Sequence, residues 1–116
     1  MKLGAETLEM IRIFDYIRFK KLDAFIFHIA NERKTSVQAG SILKRMGVKP
    51  GVSDIFIAIP RLSFHGMFLE VKANKNKPTD LQRKFLDDMI SQGYFATWRT
   101  GADASIEAIE SYLALK

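Results

Sequence analysis

Apolar residues near the start of the chain recur at helical spacing. Met10, Ile13, Phe14 and Ile17 fall three and four apart, which predicts a helix from about Ala5 to Lys20 with one inward stripe. Ala24 to Ile29 reads as a strand, and Ser36 to Met46 as a second helix stopped by Gly47. After a turn at Lys49-Pro50-Gly51, two β-rich runs follow, Asp54 to Ile59 and Met67 to Ala73. The link between them, Pro60 to Gly66, is short, so they are expected to pair as an antiparallel hairpin. Thr79 is placed to cap a helix from Asp80 to about Gln92, with Leu81, Phe85, Met89 and Ile90 inward and Gly93 as the stop. Tyr94 to Arg99 forms the next strand. Asp103 is the expected cap of a last helix whose Ile106, Ile109 and Leu113 share one face. The order helix, strand, helix, hairpin, helix, strand, helix describes a mixed α/β domain.

Composition narrows the chemistry. The 116 residues, 47% hydrophobic and 27% charged, are expected to form one compact domain over residues 1–116. No cysteine occurs, which excludes disulfides, thiolate zinc sites, iron–sulfur clusters and cysteine nucleophiles. The opening residues lack the apolar core of a leader, and no apolar run reaches the ~18 residues of a membrane span. A soluble, cytoplasmic protein of a bacterial or phage-infected cell, with no membrane partner, is the expectation. Eighteen Lys and Arg against 13 Asp and Glu leave a net charge of +5, compatible with a polyanionic partner.

One constellation stands out. In an extended strand, side chains two apart share a face about 7 Å from each other, so Glu70 and Lys72 project together. Asp54 opens the other strand of the hairpin, so its carboxylate can lie beside Glu70, although the register is not readable from sequence. Adjacent carboxylates repel each other unless a hard cation sits between them, and magnesium suits such oxygen donors. The bland alternative is a solvated strand face, with Asp54 as a turn residue. Glu6, four residues before Met10, falls on the inward stripe of the first helix, where a carboxylate needs either a partner or a solvated first turn. His28, in an apolar strand, reads as a core histidine, and His65, in the hairpin link, as a solvated one. No G-x-S-x-G elbow, Walker loop or dinucleotide glycine loop occurs, so no nucleotide cofactor is expected. Basic residues at Lys34, Lys44, Arg45, Lys49, Lys75 and Lys77 are suited to phosphate contacts.

Gly51-Val52-Ser53-Asp54, the strand Phe68-Leu69-Glu70-Val71-Lys72, Thr79-Asp80-Leu81-Gln82 and Gln92-Gly93-Tyr94, in this order, resemble the VRR-NUC family of PD-D/E-x-K nucleases. That resemblance implies a restriction-endonuclease-like αβββαβ core, a mixed sheet flanked by helices. It implies a divalent metal, Mg2+ with Mn2+ able to substitute, held by Asp54, Glu70, Val71 and Glu6. Lys72 would help position the attacking water, and Gln82 would stand near it. Thr79-x-x-Gln82 also fits a capping box, in which the glutamine satisfies a backbone N–H. Ser53 stands where many members carry the proline of the P-D signature. Branched DNA, a four-way junction first, is the implied substrate, and a homodimer the implied assembly, since paired cuts across a two-fold junction need two sites. The alternative is a catalytically idle DNA-binding or assembly subunit.

Overall fold

A computed structural model describes residues 2–30 and 36–116. The described elements are α1 (Ala5–Phe19), β1 (Ile26–His28), α2 (Val37–Arg45), β2 (Ile55–Ile57), β3 (Met67–Lys72), α3 (Asp80–Ser91), β4 (Phe95–Thr100) and α4 (Gly101–Leu113). The strands form a sheet in the order β1-β2-β3-β4. β1 and β3 run antiparallel to β2, while β4 joins β3 in parallel through the crossover helix α3. The expected αβββαβ core in a mixed sheet is present, with α2 between β1 and β2.

The period-two pattern of β3 assigns the two faces. Met67, Leu69 and Val71 are buried with Ile26, Ile55 and Ile57 against Ile13 and Ile17 of α1 and Ala108, Ile109 and Tyr112 of α4. Phe68, between them in sequence, points to the other face, where its ring meets Phe85 of α3 edge-on at 5.1 Å. Glu70 and Lys72 alternate with the core residues in the same way and share that second face. The apolar pattern therefore delivers both charged side chains to one side of the central strand.

Three expectations change at element ends. Asp103 does not cap the last helix, which begins at Gly101; Asp103 lies in its first turn and accepts a hydrogen bond from Arg12 at 2.8 Å. The first-turn N–H of Ala102 donates instead to the Glu9 carboxylate of α1, a partner that only the folded chain brings near. In α3, Leu81 and Ile90 face solvent, and the inward stripe is Gln82, Phe85, Leu86 and Met89, spaced three, one and three apart. Finally, β2 is shorter than the β-rich run from Asp54 to Ile59, leaving Asp54 just outside the paired segment. Ser36 caps α2 by accepting the Ala39 N–H at 3.1 Å, and no residue of α2 is buried. Among the described residues no helix is long and apolar enough to cross a membrane.

Candidate active site

The β2–β3 register pairs Ile55 with Leu69, so the next rung sets Asp54 opposite Glu70. β2 pairing begins only at Ile55, and the Val71 N–H, one residue further along β3 than Glu70, meets the Asp54 carboxylate, whose Oδ2 accepts it at 2.8 Å. In a strand the N–H and C=O of one residue point to the same edge, so the Val71 carbonyl is directed to the same side as Asp54. Gly51 sets the approach to this rung. Its φ of +88° is in the left-handed region, and a Cβ there would stand 2.9 Å from the Leu81 carbonyl oxygen, so the loop passes closely over the first turn of α3.

Glu70 is 1% exposed, and among the described residues neither carboxylate oxygen has a hydrogen-bond donor aligned to it. Its charge partner is Lys72, whose Nζ lies 3.2 Å from Oε2. Burial pushes the Glu70 carboxyl up to about 8, the Asp54 charge adds to the rise, and the Lys72 ammonium opposes it. Asp54 is also raised, again first by burial, with the Val71 N–H the main opposing influence. The two carboxyls are close enough that one shared proton would bond them; with both ionised, their oxygens repel. Two buried carboxylates with so few donors form an electron-rich pair suited to a cation. The hydroxyl of Ser53, the residue before Asp54, is likewise buried and has no hydrogen-bond partner among the described residues.

Asp54 and Val71 open onto a cleft of about 310 Å³ whose other walls are Glu6, Thr7, Met10, Ile11 and His28. Glu6 is exposed at the start of α1, so it lines the cleft from the solvent side rather than lying buried on the inward stripe. Among the described residues no three acidic or histidine side chains cluster at metal-binding distance, so Glu6 does not join Asp54 and Glu70 as a third close carboxylate. His28 departs from the expected core position. It is exposed on β1, lines the cleft, and its Nδ1 lies 2.9 Å from the Asp54 main-chain oxygen. An alternating strand turns every second residue to the same face, but which end of β1 abuts the Asp54 rung depends on pairing with β2, which sequence does not show.

Gln82 is engaged in the capping box. Its Oε1 accepts the Thr79 N–H at 2.9 Å, and its own N–H donates to Thr79 Oγ1 at 3.2 Å. Lys44 and Arg45 are exposed on the last turn of α2, Lys49 on the loop before Gly51, and Lys75 and Lys77 on the loop between β3 and α3. Lys34 lies outside the described residues.

Comparison with known proteins agrees with this architecture. A family model described as the VRR-NUC domain matches residues 15–103. A solved chain named a VRR_NUC domain protein is similar over 99% of this chain and 93% of its own, with a TM-score of 0.82 and 29% identity. No curated protein matches. With the family model spanning Asp54, Glu70 and Lys72, and a named member superposing over nearly its full length, the chain belongs to the VRR-NUC family of nuclease-type domains.

Proposed function

We propose that this protein is a divalent-metal-dependent endonuclease that hydrolyses phosphodiester bonds in branched DNA, four-way junctions foremost, as a cytoplasmic homodimer. The observation that carries the reading is the buried Asp54–Glu70 pair with Lys72 Nζ at 3.2 Å from Glu70. One ammonium neutralises one carboxylate; the second negative charge, and the Glu70 oxygens that lack an aligned donor among the described residues, are unexplained by folding alone.

The donor set fits magnesium or manganese. Both accept one or two carboxylates and a carbonyl while keeping several waters, so Asp54, Glu70 and the Val71 carbonyl would hold the ion, with Glu6 on the solvent side of the cleft. When bound, such an ion supplies Lewis acidity toward the scissile phosphate and lowers the pKa of a coordinated water. The protein's own contribution is placement. The Val71 N–H holds the Asp54 carboxylate to one orientation, and strand pairing holds Glu70 opposite it. Lys72 is a fixed cation beside the reacting phosphate, where negative charge grows as the bond to the attacking oxygen forms. Gln82, anchored through its capping box on α3, contributes its amide group near Lys72. Lys44, Arg45, Lys49, Lys75 and Lys77 contact backbone phosphates, which confers affinity without sequence preference and suits selection by DNA shape. The net charge of +5 supports a polyanionic substrate. Two copies related by a two-fold axis would present two clefts to a symmetric junction.

The deciding experiment incubates the protein with labelled junction, flap and duplex DNA, with Mg2+, Mn2+ or EDTA, alongside Asp54→Ala. Metal-dependent cleavage by the native protein and none by D54A is the expected outcome. Cleavage that persists in D54A refutes the site, and binding without cleavage under every condition favours an idle DNA-binding subunit.

A further inference from the structure

The main-chain carbonyl of Asp54 receives two groups from the end of β1. The Ile29 N–H donates to it at 2.6 Å, and His28 Nδ1 stands 2.9 Å away. A carbonyl oxygen can only accept, so Nδ1 must carry the hydrogen. In the neutral ring this leaves Nε2 as a bare lone pair. The ring is exposed and forms part of the cleft wall with Asp54, Val71 and Glu6, so the nitrogen not bound to Asp54 is the one available to the cleft.

The cleft's other acceptors, the carboxylates of Asp54 and Glu6 and the Val71 carbonyl, are assigned to the ion in the reading above, which leaves His28 Nε2 as the acceptor for a water. Lys72 can only donate, and a donor occupies a lone pair of water that is needed for attack. Asp54 Oδ2 is already engaged by Val71. A neutral imidazole nitrogen that takes one O–H of a water turns the oxygen's free lone pair away from itself and toward the phosphate. The ring is held for this by its bond to the same residue whose carboxylate stands in the site, so the two move together. We infer that His28, resting on the nuclease reading above, orients the attacking water by accepting its hydrogen bond at Nε2. No proton transfer to the ring is involved in this role.

Amide substitutions separate the two nitrogens. An asparagine amide can reproduce the Nδ1–H donation to Asp54 but not the cleft-facing acceptor, whereas a glutamine reaches the Nε2 position and gives up the carbonyl bond. His28→Ala, His28→Asn and His28→Gln are compared for kcat and KM on cleaved DNA, for thermal midpoint, and against Asp54→Ala in the same assay. H28A and H28N are expected to lose about 10–100-fold in kcat with KM little changed, as for other lost orienting contacts. H28N should keep the native thermal midpoint, and H28Q should recover part of the rate. An H28N protein that cleaves at the native rate, or rates that track thermal midpoint across the three variants, overturns the inference. D54A inactivity alongside a native-like H28N would leave the nuclease reading standing, whereas cleavage by D54A would remove both.

Discussion

Asp54 Oδ2 accepts the Val71 N–H at 2.8 Å, two residues past Leu69, the last residue of β3 paired with β2, so a side chain substitutes for a strand carbonyl. The same carboxylate therefore has a structural duty and a proposed chemical one, and two substitutions separate them. Asp54→Asn keeps an amide oxygen for Val71, while Asp54→Ala leaves a buried N–H unpaired, which costs about 1–3 kcal/mol. Both are expected to abolish cleavage. In denaturant titrations at pH 6, where Glu70 is largely protonated and its repulsion with Asp54 small, only D54A should lose stability by that amount. A D54A protein as stable as D54N would show that the Val71 bond contributes nothing.

Glu70 makes stability depend on pH in an unusual direction. Its carboxyl is raised from 4.5 to about 8 in the folded chain, first by burial and then by Asp54. Between those values the folded state binds a proton that the unfolded state has released. Folding is thus favoured by the protonated group below pH 4.5, and this contribution is lost as pH rises through 8. In EDTA the thermal midpoint should be lower at pH 8.5 than at pH 6, and Mg2+ or Mn2+ should restore more of it at the higher pH, where the ionised pair is ready for a cation. Glu70→Gln removes the ionisable group, so it should flatten the pH dependence and raise the midpoint in EDTA at pH 8.5 while eliminating cleavage. A steeper loss in E70Q than in the native protein would contradict the assignment of this titration to Glu70.

Much of the fold was legible because it is written in local periods. The stripe Met10, Ile13, Phe14, Ile17 and the alternation through β3 placed α1 and the central strand, and the E-x-K spacing put Glu70 and Lys72 on one face. What escaped depends on partners distant in sequence. The cap of α4 comes from Glu9, 93 residues away from Ala102, so the nearby Asp103 looked like the better candidate. Leu81 and Ile90 fit a helical stripe as well as the true inward set does, and only packing over Phe68 selects between them. His28 gave no local sign of its place, because its role follows from β1 ending against the Asp54 rung rather than from its apolar neighbours.

Two glycines with similar backbone angles should respond differently to alanine. Gly47 has φ +93° and Gly51 has φ +88°, so either substitution pays about 1–2 kcal/mol for a left-handed conformation. A Cβ at Gly47 meets nothing within 4 Å, whereas at Gly51 it would stand 2.9 Å from the Leu81 carbonyl oxygen. Backbone on both sides must then shift, and the loop that shifts is the one leading to Asp54. Gly51→Ala is expected to lose more stability than Gly47→Ala in chemical denaturation and to lower kcat at least tenfold, with Gly47→Ala cleaving normally. Equal behaviour of the two variants would separate the Gly51 loop from the placement of Asp54.

Gln82 is the residue for which structure and proposed chemistry compete most directly, since its Oε1 already accepts the Thr79 N–H at 2.9 Å. Thr79→Ala removes the other half of the box and should lower stability by about 1 kcal/mol, the usual effect of losing such a cap. Gln82→Glu is the sharper test. A glutamate preserves the accepting oxygen and adds a negative charge favoured at a helix N-terminus, so the box and the thermal midpoint should be kept. It removes the amide N–H donors, however. If the amide serves the site beside Lys72, Q82E should fold as well as the native protein and cleave at least tenfold more slowly. If the glutamine is only a cap, Q82E will be native in both measurements, and the stability lost in T79A will be the whole of what this motif provides.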